Sequence, residues 1–128
     1  MGYYFAKTLA MPIAEAEEKV RAALEKLSLG IVTEIDFREN FHKRLNVEIR
    51  PYKVLGVCSA SHAYRAIREE DKIGVLLPCN VLLHETGEGL TEVAAMDPEG
   101  AMMAVENQEV KCIGGEVRMK LKRLIDEL

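Results

Sequence analysis

Residues 80–96 read NVLLHETGEGLTEVAAM, and the fold class turns on them. Extended, largely apolar sequence from Asn80 to Glu85 meets Gly87 and Gly89, then resumes from Leu90 to Met96. That is the signature of an antiparallel β-hairpin. A hairpin interrupts strict strand–helix–strand alternation, so the segments around it decide between a parallel α/β sheet and an α+β domain.

Upstream, YKVLGVC at 52–58 predicts a strand, and Gly56 inside it marks a bulge or a close backbone approach. Ser59 or Ser61 can cap the helix that follows, with Ala63, Ala66 and Ile67 facing inward. Val75 to Leu77 reads as a short buried strand that ends at Pro78, because proline lacks the amide that a ladder needs.

Further toward the N-terminus, residues 3–9 form a β-rich run before Pro12 opens a helix. Ile13, Ala16, Val20, Ala23, Leu24 and Leu27 recur there at helical spacing, Glu17, Arg21 and Glu25 make an i, i+4 ladder, and Gly30 stops the helix. Ile31 to Ile35 predicts another strand. Asp36 then caps a helix with Glu39 three residues on, and Phe37, Phe41 and Leu45 form a stripe spaced for core packing.

Downstream of the hairpin, Asp97-Pro98 predicts a short helix to Val105, and Asn107 caps the last one. That helix carries the stripe Val110, Ile113, Val117, Leu121, Leu124, Ile125 and Leu128, with Gly114 and Gly115 leaving room for a strand or a partner subunit. The order predicts a single α+β domain over 1–128, with a mostly antiparallel sheet and helices on one face. A ferredoxin-like arrangement is its nearest competitor.

Composition narrows the function classes. Among 128 residues, 48% hydrophobic and 30% charged is ordinary for a globular protein, while 5% aromatic content without Trp implies an aliphatic core. The net charge of -4 comes from 17 basic and 21 acidic residues interspersed along the chain, which disfavours nucleic acid as a partner. No apolar run reaches the roughly 20 residues of a membrane span, and the N-terminus lacks the regions of a signal peptide, so the expected location is the cytoplasm. Three cysteines without a secretory signal are expected as reduced thiols.

Chemistry is best sought between Tyr52 and Asn80. Cys58 and His62 stand four apart at the start of a helix, and Cys79 is expected at the end of a neighbouring strand. A thiol beside a helix N-terminus feels the positive end of the dipole, which favours thiolate. Two sulfurs and an imidazole would suit zinc or copper, although the ligands are single rather than paired as in C-x-x-C repeats. Buried, inert cysteine is the competing reading. His84 is expected to pair across the hairpin with a polar group, and Gly87 and Gly89 precede no helix, so there is no phosphate loop.

Several segments resemble the prokaryotic family catalogued as domain of unknown function 302. They are TEID at 33–36, PYKVLGVC at 51–58, Ala63 with its apolar helix, LLPCNV at 76–81, and Glu85, Val93 and Asp97-Pro98. Where the family pattern has Asn-Pro after the first cysteine, this chain has Ser59-Ala60. The resemblance implies a fold like the TATA-binding-protein superfold and a homodimer, and it carries no established activity. The chain is therefore expected to be a non-enzymatic, cytoplasmic, dimeric module without a cofactor. It would bind a small ligand or protein partner in a pocket lined by Asp36, Tyr52, Cys58, His62, Cys79 and Asn80. The alternative is thiol-redox or metal chemistry at Cys58, His62 and Cys79.

Overall fold

The structure, a computed structural model, describes residues 2–128. Its elements run β1 (Tyr4–Leu9), α1 (Ile13–Lys26), β2 (Gly30–Asp36), α2 (Phe37–Leu45), β3 (Tyr52–Cys58), α3 (Ala60–Glu69), a 3-10 turn (Ile73–Leu76), β4 (Cys79–Gly87), β5 (Leu90–Met96), α4 (Pro98–Ala101) and α5 (Gln108–Glu127). The five strands form one sheet in the order β1-β5-β4-β3-β2, and each neighbouring pair is antiparallel. The α+β class expected from the hairpin is the one observed.

Strand alternation divides the sheet into two unlike faces. Leu9, Leu55, Val57, Val81, Leu83, Val93 and Ala95 share one face and are buried beneath Ala16, Val20 and Leu24 of α1 and Leu121, Leu124 and Ile125 of α5. This is the aliphatic core, and it absorbs most of the α5 stripe. On the opposite face lie Thr8, Glu92, His84 and Tyr52 in one row and Ala6, Ala94, Leu82 and Val54 in the next. Among the described residues of this second face only Gly56 is buried.

Gly56 pairs with Thr33 where β2 slips register between Ile31 and Thr33. A Cβ on Gly56 would collide with the Thr33 side chain and lie 2.7 Å from Pro78 Cγ, so the close approach expected at this glycine is real and the bulge belongs to its partner strand. On the core side of the same edge, Lys53 Nζ lies 3.0 Å from Glu17 and 3.2 Å from Glu34, and Arg21 bridges both carboxylates. Burial works to lower the Lys53 pKa, but the two glutamates outweigh it and the net shift is upward. This network ties α1 to β2 and β3.

Ile67, expected to face inward from α3, is 48% exposed, and three further local expectations need correction. Residues 75–77 are not a buried strand: Ile73 alone is buried, Val75 is 85% exposed, and i→i+3 bonds such as Val75 N–H to Lys72 carbonyl make a 3-10 turn. A run of three apolar residues is too short for periodicity to separate the two forms. The helix after Asp97 stops at Ala101 rather than reaching Val105. Finally, the Phe37, Phe41 and Leu45 stripe is not core, since α2 buries none of its residues and Leu45 is 65% exposed. Helical spacing reports a shared side of a helix, and here that side meets only the rim of the sheet, Phe37 lying edge-on to Tyr52 at 5.8 Å while Leu45 stays exposed.

Candidate functional site

Cys58 closes β3 as expected, whereas Cys79 opens β4 rather than ending a strand, the residues before it being a 3-10 turn. The register pairs Val57 with Cys79, which brings the two thiols to the same end of adjacent strands. His62 reaches that end from the first turn of α3. All three line one apolar cavity with Ser59, Leu77, Met102 and Gly114 among the other walls. Its volume is about 30 Å3, room for little more than a water molecule.

The polar members of this site are bonded to one another. Ser59 is the N-cap residue of α3 and is buried, yet its side chain makes no capping bond. Its Oγ instead lies 2.6 Å from His62 Nδ1. The other imidazole nitrogen is 3.6 Å from Glu116 on α5, which in turn accepts from Arg65 at 3.3 Å. Arg65 and, to a smaller degree, His62 hold the Glu116 carboxyl below its ordinary range. The chain Ser59–His62–Glu116–Arg65 therefore ties α3 to α5, with Ser59 and His62 lining the cavity.

Electrostatics reverse the thiolate expectation. Burial, and secondarily the neighbouring Cys58, pushes the Cys79 thiol up to about 11, and burial also raises Cys58. Desolvation of a thiolate here outweighs what the α3 dipole returns, so both sulfurs stay protonated at neutral pH. Among the described residues no three His, Cys, Asp or Glu side chains are grouped as a metal ion requires, so the zinc or copper alternative at Cys58, His62 and Cys79 gains no support.

The six residues expected to line one pocket fall in three places. Cys58, His62 and Cys79 share the cavity. Tyr52 and Asn80 border a shallow depression of about 480 Å3 on the uncovered face of the sheet, beside Tyr4, Leu82 and Met96. Asp36 is exposed and caps α2, accepting from the Glu39 amide at 3.0 Å. The period of two turns Asn80 away from the face that Cys79 occupies, whereas Tyr52 and Cys58 stand at opposite ends of β3 and are parted by its length.

Sequence reasoning missed three contributors. The Ser-x-x-His spacing of Ser59 and His62 was visible and places both groups on one helical turn. Glu116 and Met102 come from distant segments and left no local sign. Beyond Met102, a second hollow of about 390 Å3 is lined by Pro98, Glu99, Met102, Met103, Lys111, Gly114 and Gly115. It shares Pro98, Met102 and Gly114 with the inner cavity.

The family described as domain of unknown function DUF302 matches residues 5–128. The chain belongs to this family. No curated protein matches it. A solved member, the uncharacterized conserved protein DUF302 from Bacillus stearothermophilus, superposes with a TM-score of 0.89 at 18% identity, covering 98% of each chain. That likeness shows that the two chains share one fold over nearly their whole length.

Proposed function

We propose that this chain is a non-enzymatic, dimeric module that binds a small amphiphilic ligand. The apolar part enters the cavity under Cys58, His62 and Cys79, and the polar part stays in the hollow outside Met102. One observation carries the reading: inner cavity and outer hollow share the walls Pro98, Met102 and Gly114. A methionine is a natural gate, being unbranched and easily rearranged. Gly114 leaves it space, since a Cβ there would lie 3.1 Å from the Met102 sulfur. With Met102 swung outward, the two spaces become one site of ligand size, apolar inside and carrying Lys111 and Glu99 at the rim.

The neutral thiols suit this role as lining. Three free cysteines also suit a reducing compartment, which supports a cytoplasmic location. Thiol catalysis is the weaker reading because burial raises both inner sulfhydryls.

An amphiphilic probe tests the site directly. Titration with 1-anilinonaphthalene-8-sulfonate should give a saturable fluorescence rise with folded protein. Ala63→Leu, which fills the inner cavity, should weaken binding about tenfold while thermal melting reports an intact fold. Equal binding by both proteins, or none by the wild type, rejects the cavity assignment.

A further inference from the structure

Glu99 and Lys111 are the charged members of the hollow outside Met102, and their situations differ. Glu99 is held by Arg118, whose Nε lies 3.3 Å from its carboxylate and 2.9 Å from that of Asp97. Lys111 is exposed and has no ion-pair partner among the described residues.

The helix around Lys111 explains the contrast. Residues three and four positions apart are neighbours on a helix, and those of Lys111 are Asn107 and Gln108 on one side and Gly114 and Gly115 on the other. Elsewhere in the chain a basic side chain finds its acid at this spacing: Arg21 with Glu17, Lys43 with Glu39, Lys122 with Asp126 and Arg123 with Glu127. Gly115 stands where such an acid would be and brings no side chain, and a Cβ there would meet nothing within 4 Å. The nearby acids of the region are engaged or lie elsewhere. Glu116 bonds Arg65, Glu109 borders a hollow with Arg65 and Arg68, and Glu106 borders another beside Lys72. Lys111 also stands in the first turn of α5, the end of a helix that favours negative charge. Lysine and helix end therefore both favour an anion in the adjoining space.

We infer that the ligand of the cavity is an amphiphilic carboxylate. Its carboxylate takes, beside Lys111 and Gly115, the place that a glutamate one turn along would fill, and its chain passes Met102 into the space under Cys58 and Cys79. The inference rests on the cavity reading above and names the ligand class. A cationic head would compete with Arg118 for Glu99 and meet Lys111 as a like charge. A doubly charged head such as a phosphate would bring a second negative charge into a hollow that already holds Glu99 and offers one unpaired cation.

Calorimetric titration of the full chain with octanoate, octanol and octylammonium, alike in tail and different in head charge, provides the test. Octanoate should bind about tenfold more tightly than either of the others. Lys111→Met should make octanoate and octanol equal, Lys111→Arg should keep the preference, and Lys111→Glu should put octylammonium first. Lys111 is exposed, so thermal melting of these variants should match the wild type. Equal binding of octanoate and octanol by the wild type, or a preference that survives Lys111→Met, overturns the anionic head and leaves the cavity standing. If the fluorescent probe binds and none of the three ligands does, the ligand class is wrong and the cavity again stands. If neither the probe nor any of the three binds, or Ala63→Leu leaves all binding unchanged, both readings fail.

Discussion

Leu82 and Leu83 are adjacent, chemically identical residues of β4 with opposite fates. Leu83 is fully buried between the sheet and its helices, while Leu82, on the other side, is only partly buried. The contrast holds for the whole sheet. One face is closed by α1 and α5 and gives the domain its stability; the other is apolar, open and almost uncharged. The core and the uncovered apolar surface lie on opposite sides of one layer, and the pleat is what keeps them apart.

The sharpest way to break this division is to truncate the two leucines separately. Leu83→Ala should cost about 2–5 kcal/mol in urea unfolding, whereas Leu82→Ala should cost clearly less, about 1 kcal/mol. Equal losses would mean that the second face is not open.

Gly56 probes the one buried point of that open face. Gly56→Ala drives a methyl group into the Thr33 side chain and toward Pro78, and should destabilise by about 2 kcal/mol. Thr33→Ala in the same chain should restore part of the loss, and a purely additive double variant would show that Thr33 is not the obstacle.

Smaller again is the effect of alkaline pH on the closed side. The Cys79 thiol is raised to about 11 in the fold, above its ordinary value, so the unfolded chain releases this proton first. Between those two values the unfolded state binds fewer protons, and stability falls as pH rises. The stabilisation is intact below the unfolded pKa and is lost through the folded one. Relative to Cys79→Ala, the wild type should lose about 1 kcal/mol more between about pH 8 and about pH 10. Parallel pH profiles would show that the thiol is not shielded.

Thiol labelling provides the mildest comparison. Cys112 is exposed, Cys58 half-buried and Cys79 buried, so a maleimide should modify them in that order, with Cys79 reacting at the rate of unfolding. Early labelling of Cys79 would mean that the cavity opens freely.

Much of the fold was legible in the chain. The hairpin at 80–96 fixed antiparallel pairing, Asp36, Asp97 and Asn107 all act as caps, and His84 pairs across the hairpin with Glu92. These are local signals, set by turn chemistry, by hydrogen bonds to nearby amides and by register. The meeting of Cys58, His62 and Cys79 was legible in part: Cys58 ends β3 and His62 lies in the first turn of α3 as expected, but Cys79 opens β4 instead of ending a strand at 75–77. Asp36, Tyr52 and Asn80 were grouped with them on proximity in sequence, and proximity does not say which side of a strand a residue faces.

By itself the sequence determined most of the longer elements, their order and their antiparallel hairpin, since propensity, capping and period act over a few residues, while the short segments at 75–77 and after Asp97 were misread. Only the tertiary structure decided which of two neighbouring leucines is core and which is surface. Val81-Leu82-Leu83 is apolar throughout, so alternation supplies two candidate faces and no preference between them. The choice falls where α1 and α5 land, and those helices are brought to one side by contacts between residues far apart in the chain.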